Sequence, residues 1–281
     1  MANKITLLDG AVGTSLWELA DQNGIARTPV WKYNIEQPAL VSELCRRYID
    51  AGAEILLTNT FGANRQMVER SSKYTVEQVV SAGAGLALEA VKGTSVRLAL
   101  ACGPLLEFME PYGDLEEEEV EDIFTQQLEP GIKAGIKLVM VQTFMDLATA
   151  RVATRVAKRL GAEVFTTLTF EKSGRTMMGN TIEQAVRGLE DDGAAAVGMN
   201  CSLGPNLALP IISEFKQKTD LPLVFKPNAG LPVTNPDGSI KAPYSPKLFA
   251  EEVAPALEFV SYIGGCCNCN PEYIKELKKL I

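Results

Sequence analysis

"ITLLDGAVGT", residues 5–14, is an apolar run that ends on Asp-Gly and enters a turn with a second glycine. Read as a strand feeding a helix, it decides between an open doubly wound sheet and a closed barrel. A dinucleotide-binding sheet would carry G-x-G-x-x-G at this turn, so that the backbone could approach a pyrophosphate. "DGAVGT" has glycines there but not that spacing. The same unit then recurs along the chain. Further apolar runs are "EILLTNT" (54–60), "VRLALACG" (96–103), "KLVMVQTF" (137–144) and "EVFTTLTF" (163–170). "AAVGMNCS" (195–202), "LPLVFKPN" (221–228) and "EFVSYIGG" (258–265) complete the series. Each is apolar nearly throughout, as strands buried on both faces tend to be.

Between the runs lie stretches with helical spacing, such as "PALVSELCRRYIDAG" (38–52), "TVEQVVSAGAGLALEAV" (75–91) and "DLATARVATRVAKRLGA" (146–162). Several close on glycine just before the next run, a usual helix stop. "EEEEVEDIFTQQLEPGIKAG" (116–135) opens on an acidic stretch suited to a helix N-terminus. Its Pro130 is expected to kink or split it. Eight such units in series with no duplicated half fit an α/β fold, a single (β/α)8 TIM barrel over residues 1–281.

The balance of 27 basic and 35 acidic residues gives a net charge of −8, which argues against nucleic acid or an anionic membrane as partner. The start "MANKITLLDG" lacks the apolar core of a signal peptide. No apolar stretch approaches the roughly 20 residues that span a bilayer. Six cysteines in 281 residues do not make a disulfide scaffold. The expectation is a cytoplasmic protein.

Barrel enzymes carry their chemistry at the C-terminal ends of the strands. Those ends hold Asp9 and Gly10; Thr58, Asn59 and Thr60; Cys102; Gln142 and Thr143; Asn200 and Cys201; Asn228; and Cys266 and Cys267. The chain has no histidine. Thiols from the sixth and eighth strands can converge, and three protein ligands with one open position are what a catalytic zinc takes. A vicinal disulfide or coincidence are the alternatives for the adjacent pair. Residues 266 and 267 would face opposite sides of a regular strand, so both serve as ligands only where the strand has turned. Gly264 and Gly265 permit such a turn. Cys45 and Cys102 read as small buried residues.

Taken in order, "DGAVGT" (9–14), "TNTFGAN" (58–64), "GMNCSLGP" (198–205), "PNAGLP" (227–232) and "GGCC" with "NPEYI" (264–274) form a specific set. With them the whole chain resembles the homocysteine S-methyltransferase family, the zinc barrel of cobalamin-dependent methionine synthase and betaine–homocysteine methyltransferase. The resemblance implies a zinc-dependent methyltransferase in which Cys201, Cys266 and Cys267 hold the metal and Asn228 fills the fourth position without substrate. It implies that Asp9, with the backbone near Gly10 and Thr60, grips the amino-acid end of homocysteine; Asn59, Gln142 and Asn200 complete the candidate binding set. The product would be methionine.

The chain departs from the family pattern at three places. Gln142, in "VQTFMDL" (141–147), stands where the family carries a Glu for the homocysteine ammonium. "NCN" (268–270) replaces Gly-Thr-Thr, leaving Cys269 as either an idle surface thiol or a competing ligand. "GPLLEFMEPYGDL" (103–115) is longer and more apolar than the usual turn and is placed to shape the methyl-donor side. Phe108, Tyr112 and Phe144 would there face a methylated cation or else belong to the core. No Asp-x-His-x-x-Gly corrinoid signature is present. The methyl group would therefore come from a methylcorrinoid (cobalamin) on a separate protein, or from a small sulfonium or betaine. Two other readings stay open: a component of a corrinoid system serving another thiol or methylated compound, and a barrel with a structural zinc closed by Cys269. Trp17 and Trp31, after the first strand, would cover the mouth or the flank.

Overall fold

The computed structural model describes residues 4–230 and 243–281, with the backbone of a short antiparallel ribbon, Val233–Thr234 paired with Ile240–Lys241. The first three residues, and Leu231 and Pro232 of "PNAGLP", lie outside the described residues.

Eight parallel strands form one sheet: β1 Thr6–Leu7, β2 Ile55–Leu57, β3 Arg97–Cys102, β4 Leu138–Phe144, β5 Glu163–Leu168, β6 Ala196–Asn200, β7 Leu223–Lys226 and β8 Tyr262–Ile263. Their order is β1-β8-β7-β6-β5-β4-β3-β2. The two ends meet at a parallel bridge between Leu8 and Ile55. There the Glu54 N–H donates to the Leu7 carbonyl at 2.7 Å and the Asp9 N–H to the Ile55 carbonyl at 3.1 Å. The sheet is thereby a closed barrel, the (β/α)8 architecture expected from the serial pattern.

The strands are shorter than the apolar runs. The last residues of most runs, among them Asp9, Thr58 to Thr60, Cys201 and Asn228, leave the ladder to build the mouth, as does Cys266 just past the eighth. Inside the barrel, Leu8, Ile55, Leu57, Met140, Phe165 and Val224 pack as a small inner core. A larger apolar layer lies between the sheet and the surrounding helices.

Local chemistry fixes the helices. Thr75 and Thr181 each begin one with a reciprocal capping box, to Gln78 and Gln184. The helix Glu117–Lys133 carries three glutamates in its first turn and continues through Pro130 without splitting. Gly131 of that helix lies where a Cβ would stand 2.5 Å from the Leu100 side chain, which lets the helix close on β3. No helix among the described residues is long and apolar enough to cross a membrane.

Candidate metal centre

Strand β6 ends at Asn200, and the next two residues, Cys201 (φ 61°) and Ser202 (φ 56°), are left-handed. Thr143 (φ 67°) after Gln142 and Asn268 (φ 66°) after Cys267 are the other non-glycine residues with positive φ among the described residues. All four border one point at the mouth. Such conformations are costly for residues with a Cβ and persist where the surroundings over-determine them.

Here the surroundings are backbone bonds between loops. The Cys201 N–H donates to the Lys226 carbonyl at 3.0 Å, and the Cys266 N–H to the Pro227 carbonyl at 2.9 Å. The Asn228 N–H donates to Leu203 at 2.9 Å and the Ala229 N–H to Cys267 at 3.1 Å. The ends of β6, β7 and β8 are thus laced together, and the chain has left the strand before Cys266. Gly264 and Gly265 do not have positive φ. Their role is close approach rather than a turn. A Cβ on Gly264 would lie 2.6 Å from the Asp9 carbonyl oxygen, and one on Gly265 2.3 Å from the Cys269 Cβ.

The result is a cluster in which the sulfurs of Cys201, Cys266 and Cys267 all lie within 4.8 Å of one another. Cys201 and Cys267 are 3.5 Å apart, sulfur to sulfur, and all six cysteines are free thiols. Hydrogen bonds from Cys266 and Cys267 hold the Cys201 thiol down to about 3, against the opposite pull of burial. The contact with Cys201 pushes Cys266 well up and Cys267 up to about 11. Asn228 lies beside Cys201, and its Oδ1 is buried with no hydrogen-bond partner among the described residues. A buried carbonyl oxygen left unpaired costs about 1–3 kcal/mol. Three converging sulfurs, with Asn228 and its unpaired oxygen next to one of them, suit the donor set of a tetrahedral zinc ion.

The other candidate residues separate into two groups. Asn200 is fully buried beside the sulfurs and donates from Nδ2 to Cys266 Sγ at 3.5 Å. Gln142 is half-buried at the end of β4, with no side-chain hydrogen bond among the described residues. Asp9 is fully buried: Oδ1 pairs with Lys226 Nζ at 2.9 Å and Oδ2 accepts the Leu57 N–H at 2.7 Å. Asn59 uses both amide N–H groups on Val30 and Asn34, which pins the segment after β1. Thr60 bonds Thr58 and the Ala101 carbonyl. Gly10 has no room for a Cβ, which would fall 2.0 Å from the Cys269 carbonyl oxygen.

One expectation needs correction. Cys269 is not a surface thiol. It is fully buried, its Sγ faces the Pro227 carbonyl at 3.7 Å, and it stands outside the sulfur cluster. Its carbonyl takes the Ala11 N–H and the Tyr48 hydroxyl, which carries the segment inward. Of the two places left open for Phe144, it takes the core: it is fully buried, with its ring 6.0 Å from that of Phe124. Tyr112 is exposed and Phe108 half-buried on the β3 loop. Cys45 and Cys102 are buried, as read. Trp31 is buried, and Trp17 donates to the Thr28 carbonyl within the segment after β1.

The model of the homocysteine S-methyltransferase family matches residues 6–281. The chain belongs to the homocysteine S-methyltransferase family. Relatives of this family member include the methionine synthases of Mycobacterium leprae, 28% identical, and Mycobacterium tuberculosis, 27% identical, each aligned over 99% of this chain. The chain spans 24% of the length of either relative. Among solved structures, the oxidized form of the homocysteine methyltransferase MmuM from Escherichia coli shares the fold. Its TM-score is 0.80 at 22% identity, over 98% of this chain and 95% of that one.

Sequence reasoning passed over Thr167 and Lys226 and named Thr143 only as a strand-end residue. Thr143 and Thr167 hold the Asn200 amide, and Lys226 pairs with Asp9. Lys226 has a visible signal, a lysine ending an otherwise apolar strand. The left-handed turn at Thr143 has none.

Proposed function

We propose that this chain is a zinc-dependent methyltransferase that accepts a methyl group on the sulfur of homocysteine and yields methionine. The observation that carries the reading is the convergence of Cys201, Cys266 and Cys267 beside the unpaired Asn228 oxygen. Family membership supports the methyl-transfer class and the acceptor. The three cysteines and Asn228 would hold the ion, with Asn228 giving way to the incoming thiol. Zinc, when bound, keeps a thiol deprotonated at neutral pH, and three cysteinate ligands leave surplus negative charge to preserve its nucleophilicity.

The chain supplies position. Loops laced by backbone hydrogen bonds fix the sulfurs before the acceptor arrives, and such pre-orientation supplies several kcal/mol of a barrier in favourable cases. The amino-acid end of the acceptor would meet Gln142 and the rim near Gly10 and Thr60, with Asp9 behind them. The methyl donor is a methylcorrinoid protein docking at the mouth or a small methylated cation, with Tyr112 and Phe108 on the donor side.

The test combines metal analysis with turnover. About one zinc per chain is expected, together with loss of methylcobalamin absorbance and appearance of methionine when homocysteine is added. No methionine from methylcobalamin, a sulfonium or betaine would end this reading.

One observation favours a second reading. Gln142 is neutral and the Asp9 charge is matched by Lys226, so neither candidate offers a free carboxylate to an ammonium group. On that reading the chain serves a corrinoid-dependent system acting on another thiol. Calorimetric titration separates the two: tight homocysteine binding to the zinc-loaded chain supports the first, and preference for 3-mercaptopropionate, which lacks the amine, supports the second.

A further inference from the structure

Asn200 spends its whole side-chain amide at the sulfur cluster. Oδ1 accepts the Thr143 backbone N–H and the Thr167 hydroxyl, each at 2.7 Å. Nδ2 donates to Thr143 Oγ1 at 2.7 Å and to Cys266 Sγ at 3.5 Å. An amide has two lone pairs and two N–H groups. All four are used, so the orientation that aims an N–H at the sulfur is the one that satisfies every partner. The residue is also fully buried.

Thr143 makes this arrangement possible at a cost. It sits at φ 67°, an outlier for a β-branched side chain, and the β4–β5 register shifts between Val141 and Phe144 around it. Left-handed backbone normally favours glycine, which would relieve the strain. Glycine, however, would remove the Oγ1 that receives one Asn200 N–H. The threonine thus turns both an N–H donor and a hydroxyl acceptor onto a single amide. Strain of this kind gathers where the surrounding structure imposes a function.

Resting on the metal-centre reading above, we propose that Thr143 and Asn200 are positioning residues for Cys266. Together they hold one N–H on its sulfur, which fixes the direction of that ligand. The same bond draws off part of the negative charge that three crowded thiolates accumulate, since hydrogen bonds to ionised acceptors are the stronger class. Outer-shell groups of this kind govern ligand orientation and metal affinity.

The experiment uses the full chain and two metals as probes. Zinc affinity is measured by chelator competition, and the sulfur-to-metal charge-transfer band is recorded with cobalt(II) in place of zinc. Thr143→Val, which deletes the hydroxyl acceptor, is expected to weaken zinc binding by about tenfold to a hundredfold. It should also move the cobalt band to lower energy, because a sulfur that loses its N–H donor is more electron-rich. Thr143→Ser, which keeps the hydroxyl, should return both readouts toward wild type. Asn200→Asp, which replaces the N–H by an oxygen, should move both as the valine variant does and serves if that variant does not fold.

Zinc binding within twofold of wild type with an unshifted band would overturn the positioning role. So would weakened binding with no band shift, or a loss that serine does not restore, since either marks a merely structural residue. A wild-type chain that binds no zinc would instead overturn the metal centre itself, so the two failures are distinguishable.

Discussion

Cys201 is the residue on which the sulfur cluster is electrically poised. Hydrogen bonds from its two partners hold it as a thiolate down to about pH 3, while Cys267 stays protonated up to about 11. Iodoacetamide should therefore label Cys201 of the metal-free protein at pH 6 nearly as fast as at pH 8. An ordinary thiol with a pKa near 8.5 slows by about a hundredfold over that interval. Peptide mapping by mass spectrometry checks this, with the buried Cys45, whose thiol burial pushes up to about 12, as the slow internal control. The linkage has a definite sign. A depressed thiol pKa contributes stability above its unfolded value, and that contribution fades as pH falls toward 3; the raised Cys267 contributes below its unfolded value and loses it as pH rises through 11. Lys226 makes a second argument at this scale. It is the partner of a fully buried carboxylate, and removing one member of a buried pair strands the other charge. Lys226→Met should cost about 3–5 kcal/mol in urea denaturation. Asp9→Asn combined with Lys226→Gln should recover part of that loss, because no net charge then remains buried.

Among the elements, the β8 end shows how tightly the centre is built. Gly264 lies against the Asp9 carbonyl, where a Cβ would fall 2.6 Å from the oxygen. Gly264→Ala must therefore push β8 away from β1 and carry Cys266 with it. Expected are a stability loss of about 1–3 kcal/mol, as for other overpacked sites, and a lower zinc content, measured by thermal melting and metal analysis. What was legible in the sequence follows from the same physics. Strands buried on both faces read as apolar runs, so the eight staves were visible. The cysteines showed because thiols at strand ends in a chain without histidine are few. The strand limits were not visible, since "TNT" (58–60) and "CS" (201–202) look continuous with their strands yet leave the ladder to line the mouth. The purpose of Gly264-Gly265 was read as conformational freedom, and it is instead the absence of side chains where two strands and the Cys269 turn meet. Thr143 showed only as a strand-end residue; its left-handed backbone carried no signal, because the Asn200 contacts that accompany it come from another strand.

At the scale of the whole molecule, the barrel closes only because β1 meets both β8 and β2, and two of these three strands are two residues long. The seam is therefore short in backbone pairing and depends on what crosses it, the Asp9–Lys226 pair and the Tyr48 hydroxyl on the Ala11 and Cys269 carbonyls. A metal held by Cys201, Cys266 and Cys267 would tie β6 to β8 across the intervening β7 in the folded chain alone. A ligand that binds only the folded state adds RT ln(1 + [L]/Kd), about 2.7 kcal/mol at a hundredfold excess over Kd. With an unfolding entropy of roughly 2 cal/mol/K per residue, that corresponds to a rise in Tm of about 5 °C for a chain of 281 residues. Zinc added to the chelator-treated protein should produce that rise in a thermal melt, and continue upward with zinc concentration. Cys201→Ala should melt at the same temperature with and without zinc, because the site then lacks the one ligand β6 contributes. A rise that survives in this variant would mean that the stabilising ion sits elsewhere and that the three sulfurs do not form the centre.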